Sequence, residues 1–363
     1  MRVKLEEVCK RIYAGGDVPK DRYSEEKTED YKVPIFANAE KDEGLYGYTD
    51  EAREKELSIT VAARGTIGYT VIRREPFLPV VRLITVVPDL EKVSERYLFY
   101  ALKMCKPQSS GTSIPQLTVP DIKKNTLNLL DIAEQESIAN RLDKLNGIIK
   151  LRTEVISKMD ELIRARFVEM FVSKNYPREE LDNLSYGKGE YGAQSASVEY
   201  NSSRPRYVRI TDIKEDGSLN DDVVCSANVE DDKLYKLKYG DFCFARMGAT
   251  VGKTYAYRGG NQIFAGYLIR YKLNLNRIIP EYLYEFTRLH EYRNWVSLNQ
   301  SGAAQPGINA KKYGSLRIPV APLEEQRVFA KFVEEVNKSK VEVKKALDEA
   351  QLLFDSLMQK YFG

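Results

Sequence analysis

The feature that most constrains this chain is an internal duplication. The segment SGTSIPQLTVPDIKKNTLNLLDIAEQESIA, beginning at Ser110, returns as SGAAQPGINAKKYGSLRIPVAPLEEQRVFA from Ser301. Gly111 aligns with Gly302, Pro115 with Pro306 and Gln135 with Gln326, each at an offset of 191 residues. Upstream, ITVAARGTIGYTVI from Ile59 returns as DFCFARMGATVGKTYAY from Asp241, with Thr66 opposite Thr250 and Gly68 opposite Gly252, an offset of 184. ERYLFYALK from Glu95 matches PEYLYEFTR from Pro280, placing Tyr97 opposite Tyr282. Offsets that drift by a few residues are what loop insertions produce. A repeat of this kind sets the architecture before any local motif is weighed.

Each copy ends in a long amphipathic run. From Asp131, an N-cap with Glu134 three residues on, a 4-3 ladder passes through Ile138, Leu142, Leu145, Ile149, Arg152, Ile156, Met159, Ile163, Arg166 and Met170. The second, after Pro319 and Pro322, holds Phe329, Val333, Val336, Lys340, Val343, Leu347, Ala350, Phe354, Leu357 and Tyr361. Heptad spacing sustained this long predicts coiled-coil helices over about 131–171 and 324–361. Two apolar stripes of about 57–62 Å need covering, and pairing them with each other in antiparallel sense covers both. The expected seam is Leu142, Leu145, Ile149, Ile156, Met159 and Ile163 against Val336, Val343, Leu347, Phe354 and Leu357.

Ahead of each helix the pattern changes to alternation broken by Gly, Asp, Asn and Pro. Strands are expected at 33–36, 57–63, 69–73 and 80–87, and again at 207–213, 241–246, 253–258 and 264–273. The fold class is therefore α+β: two similar mixed globules, mainly antiparallel in their strands, joined by two long helices as a pseudo-twofold dumbbell.

Composition narrows function. With one His, His290, and Cys9, Cys105, Cys225 and Cys243 scattered without C-x-x-C spacing, His-based metal sites, triads and disulfide frameworks find no material. His290 lies in a helix-like stretch and reads as structural. No apolar run reaches membrane-spanning length and the N-terminus has no apolar leader segment, so reduced thiols in a cytoplasm are the expectation. Two motifs imitate chemistry. Gly248 to Thr254 resembles a phosphate-binding loop, but position 247 is Met and the duplicate at 64–70 has no Lys, so a glycine turn between strands explains both. Pro88-Asp89 with Asp121-Ile122-Lys123 mimics a nuclease signature, yet the second copy offers Lys312-Tyr313-Gly314 there.

The doubled order resembles the specificity (S) subunit of type I restriction-modification enzymes. The resemblance is carried by Ala63-Arg64-Gly65-Thr66-Ile67-Gly68 with Ala245-Arg246-Met247-Gly248-Ala249-Thr250-Val251-Gly252-Lys253. It is also carried by Ser110-Gly111 and Ile114-Pro115-Gln116-Leu117 with Ser301-Gly302 and Gln305-Pro306-Gly307-Ile308, and by Pro319-Val320-Ala321-Pro322-Leu323-Glu324-Glu325-Gln326 with its weaker first copy Leu130 to Gln135. It implies a first target recognition domain over 1–130, a central helix over 131–171, a second recognition domain over 172–322 and a distal helix over 323–363. It further implies a non-catalytic, cytoplasmic chain with no cofactor of its own. Each recognition domain would read one half of a bipartite, asymmetric site in double-stranded DNA, and the helices would fix the spacer. Two adenine methyltransferase (M) subunits holding S-adenosylmethionine would dock on the chain, and restriction/translocase (R) subunits using ATP and Mg would join them. Other readings of the same residues are an orphan or alternate-allele S-like subunit, or a coiled-coil scaffold whose globules bind protein.

The chain's formal charge is only +3, but residues 131–171 and 324–361 each hold 7 basic and 8 acidic side chains, leaving +5 on the globules. Phosphate and base contacts need Arg, Lys, amides and hydroxyls on loops. The candidates are Lys20, Arg22, Tyr23, Asn38 and Arg64 in the first globule. In the second they are Lys188, Tyr191, Gln194, Ser195, Ser202, Ser203, Arg204 and Arg206, with Arg246 and Lys253 flanking the glycine turn.

Overall fold

The computed structural model describes residues 1–105, 116–229, 232–301 and 306–363. Gly111 and Pro115 of the repeat, and Gly302 and Gln305, lie outside them. Among the described residues no helix is long and apolar enough to cross a membrane. The chain divides into two compact units, residues 1–154 with 344–363, and residues 155–343.

In the first unit a four-stranded antiparallel sheet has the order Cys9–Ala14, Ile84–Pro88, Ser58–Val61, Thr70–Arg73. The second unit repeats it as Glu190–Tyr191, Leu268–Lys272, Asp241–Ala245, Thr254–Ala256. The inner strands are buried along their length except at Lys272, the exposed end of Leu268–Lys272, as β-branched and aromatic runs covered on both faces require. The glycine turns join the last two strands of each set: Gly65 and Gly68 take φ of 67° and 85°, Gly248 and Gly252 φ of 70° and 86°. These left-handed positions explain the glycines without a nucleotide. Asp121 of the nuclease-like pattern caps a helix, accepting from the Thr118 N–H at 2.9 Å.

Among the described residues three α-helices belong to the first copy: α1 (Glu95–Lys103), α2 (Val119–Lys124) and the long α3 (Ile132–Phe167). Among the described residues of the second copy there are four: α4 (Pro280–Phe286), α5 (His290–Asn299), α6 (Ala310–Gly314) and the long α7 (Leu323–Phe362). Asp131 caps α3 by accepting from the Glu134 N–H at 2.8 Å. His290 opens α5 and shares a 3.1 Å hydrogen bond with Asn294. The expected helix to 171 ends as α-helix at Phe167 and continues as one π turn, Val168–Val172. A wider turn brings residues four apart closer to one face, and Phe167 and Phe171 both enter the core with rings 5.0 Å apart.

In each unit the early part of one long helix lies against the late part of the other, which is the antiparallel sense. In the first unit Ile138 and Leu142 share a core with Phe354, Leu357, Met358 and Phe362. In the second Ile163 and Phe167 share one with Phe329, Val333 and Val336. Leu142 and Ile163 are buried, while Leu145, Ile149, Ile156, Met159, Val343 and Leu347 are half-buried. The ladder's charged members have partners: Lys340 holds both Asp160 oxygens at 2.7 Å, and Arg152 donates to the Ala346 carbonyl.

Two duplicated joints tie globule to helix. Gln135 is fully buried; its amide donates to the Lys92 and Leu130 carbonyls at 3.0 and 2.9 Å and accepts from the Ser94 N–H at 2.8 Å. Gln326, equally buried, donates to the Arg277 and Ala321 carbonyls at 3.0 and 2.8 Å and accepts from the Ile279 N–H at 3.1 Å. Tyr97 donates to the Asn128 carbonyl at 2.9 Å, and Tyr282 to the Pro319 carbonyl at 2.7 Å. Each globule is also closed at its root by a two-stranded antiparallel tie, Arg2–Lys4 with Thr126–Asn128 and Arg178–Glu180 with Arg317–Pro319.

Three strand expectations change. The run 80–87 is a strand only from Ile84, because Val81 and Arg82 form a turn with φ of 51° and 61°. The run 264–273 breaks between Gln262–Phe264 and Leu268–Lys272. Residues 207–213 give a short strand, Arg206–Val208, followed by a 3-10 turn at Ile210–Asp212.

Candidate nucleic-acid interface

In the second unit a cleft of about 560 Å³ opens beside the break in the sheet. Its walls come from the segment after the edge strand (Gln194, Ser195), the 3-10 turn (Arg209, Thr211), the strand end (Arg246) and the break itself (Tyr267). Tyr207 sits beneath, donating to the Ala193 and Ser195 carbonyls at 2.7 and 3.1 Å, and burial raises its pKa. Arg209 is neutralised by Asp212 at 2.8 Å, a hydrogen bond that raises the guanidinium pKa. Among the described residues Arg246 has no carboxylate partner; its Nε donates to the Gly266 carbonyl at 3.1 Å, and its Cζ lies 5.0 and 5.8 Å from the Tyr191 and Tyr267 ring centroids. Tyr191 is held in turn by the Ala310 N–H, which donates to its hydroxyl at 3.2 Å.

The structure thus brings together Tyr191, Gln194, Ser195 and Arg246. The other candidates of that copy lie apart. Ser203 folds onto Asn201, donating through its hydroxyl at 2.8 Å, within an exposed turn that also holds Ser202 and Arg204. Arg206 is committed to Asp221 at 2.6 Å and Lys253 to Glu215 at 2.6 Å. Lys188 is exposed near Asp182. Arg209, Thr211 and Tyr267 were not among the candidates. Tyr267 sits in what reads as an unbroken strand, and only the sheet break, with the Leu268 N–H turned back onto the Ala265 carbonyl at 2.8 Å, exposes it.

The first copy uses its candidates differently. Arg22 donates to both Asp50 oxygens at 2.8 and 2.7 Å, and those bonds hold the Asp50 carboxyl below the usual range. Tyr23 packs on Tyr46, rings 5.6 Å apart, and Lys20 is exposed. Asn38 is spent on the backbone, donating to the Val81 carbonyl at 2.5 Å and accepting from the Ala63 N–H at 2.7 Å. Arg64 donates through Nε and Nη2 to Gln116 Oε1 at 3.0 and 2.8 Å. The Leu117 N–H donates to the Ala63 carbonyl at 3.0 Å just as the Ile308 N–H donates to the Arg246 carbonyl at 2.9 Å. Ala63 is therefore the counterpart of Arg246. Likewise the Val81-Arg82 turn, closed by the Leu83 N–H on the Val80 carbonyl, stands where Gly266-Tyr267 stands.

No thiol is prepared for nucleophilic work: burial pushes Cys9 and Cys105 up to about 12, and raises Cys225 and Cys243.

The family model described as the type I restriction modification DNA specificity domain matches residues 1–159 and again 187–350. The chain belongs to that family. Among its relatives, two type I specificity subunits of Mycoplasma pneumoniae are 41% and 39% identical over 142 residues, 39% of this chain in each case. Those matches span 42% and 39% of the relatives' own lengths. A specificity subunit of the type I restriction enzyme MjaX of Methanocaldococcus jannaschii is 27% identical over 138 residues, 37% of this chain and 32% of its own. The solved S subunit from M. genitalium superposes with a TM-score of 0.60 at 15% identity, covering 100% of this chain and 96% of that one. A chain from a structure of type I R-M complex assembly gives 0.59 at 15% identity, with 100% and 97% covered. At that identity the likeness is one of fold, and the type I specificity fold accounts for both units.

Proposed function

We propose that this chain is the DNA-reading specificity subunit of a type I restriction-modification complex and is itself non-catalytic. Each recognition domain reads one half of a bipartite, asymmetric site in double-stranded DNA, and α3 and α7 set the spacer. Adenine methyltransferase subunits dock on the chain and bring S-adenosylmethionine, and restriction subunits joined through them bring ATP and Mg. The observation that carries the reading is one scaffold, used twice, offering unlike side chains at the same place: Ala63 and Arg82 in one copy, Arg246 and Tyr267 in the other. A common frame with divergent loop ends gives two different half-sites, where identical ends would give a palindrome. Docking is supported by apolar side chains left exposed on the long helices, Leu151, Val155 and Leu162 on α3 and Val341 and Leu352 on α7.

Co-expression with a cognate methyltransferase followed by long-read mapping of methylated adenine tests the reading. A single bipartite, non-palindromic motif is expected; a complex that forms but methylates no defined motif refutes it. Deleting one heptad from both helices is expected to shift the spacer and leave both half-site sequences intact. An unchanged spacer refutes the ruler role.

A further inference from the structure

Arg246 differs from the nearby basic side chains of the second unit that ion-pair, whether singled out from sequence or not. Arg206, Arg209 and Lys253 are each spent on a carboxylate. Arg246 lines the cleft with Gln194, Ser195 and Thr211, and no acidic side chain is among the cleft's described walls. Its backbone is fixed on both sides, the N–H donating to the Tyr267 carbonyl at 3.0 Å and the carbonyl accepting from the Ile308 N–H at 2.9 Å. Its guanidinium is held by the Nε bond to Gly266 and flanked by the two tyrosine rings. Neither Nη atom has a hydrogen-bond partner among the described residues, so a planar pair of donors stands ready before any ligand arrives.

Two parallel N–H donors in a fixed fork match the O6 and N7 acceptors on the major-groove edge of guanine, the commonest specific arginine contact with DNA. A phosphate oxygen pair satisfies the same fork without carrying sequence. The Nε bond to Gly266 and the two tyrosine rings set where the guanidinium sits before any ligand arrives, which a base edge requires and a diffuse phosphate contact does not. Ala63 at the matching place in the first copy offers no such fork, so the contact belongs to one half-site alone.

We infer that Arg246 reads a guanine in the half-site of the second recognition domain through O6 and N7, with Tyr191 and Tyr267 as positioning residues. The inference rests on the DNA-reading function proposed above.

The test uses the full chain in complex with its methyltransferase subunits and duplexes carrying the mapped site. Each guanine is replaced in turn by 7-deazaguanine, which removes the N7 acceptor. One guanine in one half of the motif is expected to weaken binding on the order of 10-fold or more when replaced. Arg246→Lys, which keeps the charge and loses the fork, is expected to bind that substituted duplex and the natural one equally. Its methylome is expected to relax at that single position while the other half-site is unchanged. If no guanine is sensitive in the wild-type complex, the inference is overturned without recourse to any variant. If Arg246→Lys weakens binding alike on every duplex, the contact is to phosphate and the inference is again overturned. A wild-type complex that methylates no bipartite motif overturns the functional reading itself, and this inference with it.

Discussion

The two copies hold their short helix to the long one in opposite ways. In the first, Arg96 of α1 reaches Glu136, Asn140 (2.8 Å) and Asp143 (2.7 Å) on α3, and Tyr100 donates to Asp143 at 2.6 Å. The counterparts by the repeat offsets are Glu281 and Glu285 on α4, and Arg327 with Glu334 on α7. The charges of Arg96 and Glu136 are exchanged as Glu281 and Arg327, Asp143 keeps its sign as Glu334, and the seam is not closed. Arg327 turns to its own neighbour Glu324 at 2.6 Å, Glu281 Oε2 is buried with no hydrogen-bond partner among the described residues, and a cleft of about 810 Å³ occupies the gap. The joints that survive in both copies are the uncharged ones, Gln135 with Gln326 and Tyr97 with Tyr282. A buried amide satisfying three backbone groups is hard to replace, because its loss strands donors and acceptors away from water. A half-exposed ion pair is worth about 1 kcal/mol or less and is free to drift.

That contrast is open to direct attack. Gln135→Leu and Gln326→Leu are each expected to lower stability by about 2–4 kcal/mol, read as urea or thermal melting of the full chain, and to similar extents. A large effect in one copy alone would show that the joint is not shared. Arg96→Ala is expected to cost about 1 kcal/mol, whereas Glu281→Ala should stay within about 0.5 kcal/mol of wild type; equal losses would mean the second seam closes in solution. The finest probe is pH. Burial raises the Glu285 carboxyl above its ordinary range, and Arg288 only partly opposes it. A carboxyl with a raised native pKa opposes folding at neutral pH, and that penalty fades as pH falls through the native pKa toward the unfolded value. Glu285→Gln should therefore melt higher than wild type at pH 7, with the gap closing in acid. A gap independent of pH would assign the effect to packing.

The long helices were legible because spacing alone reports them: apolar residues four and three apart over some ten positions have no other economical use. The exceptions within the ladders were legible as exceptions but not as bonds, since nothing near Lys340 in sequence points to Asp160. The sheet cores were legible from alternation, and the glycine turns from their residues. What stayed hidden has a common cause. Val81-Arg82 carries no Gly, Asn or Asp to announce a left-handed turn, and Tyr267 follows an Ala-Gly pair that reads as strand interior. Both positions are set by pairing with distant segments, Asn38 onto Val81 and Ala193 onto Ala265. Composition likewise could not sort the basic candidates. Arg22, Arg206 and Lys253 suit a phosphate as well as Arg246 does until Asp50, Asp221 and Glu215 are found beside them.

The antiparallel ties at the root of each globule carry a consequence for how such a chain can change. Arg2–Lys4 lies hydrogen-bonded to Thr126–Asn128, and Arg178–Glu180 to Arg317–Pro319, so each globule begins and ends at one spot. A segment with adjoining ends is a cassette: its interior can lengthen, shorten or be exchanged wholesale while the entry and exit points stay put. The helix that follows receives the same handover from any cassette with the same tie, so the interior can change without moving where the helix starts.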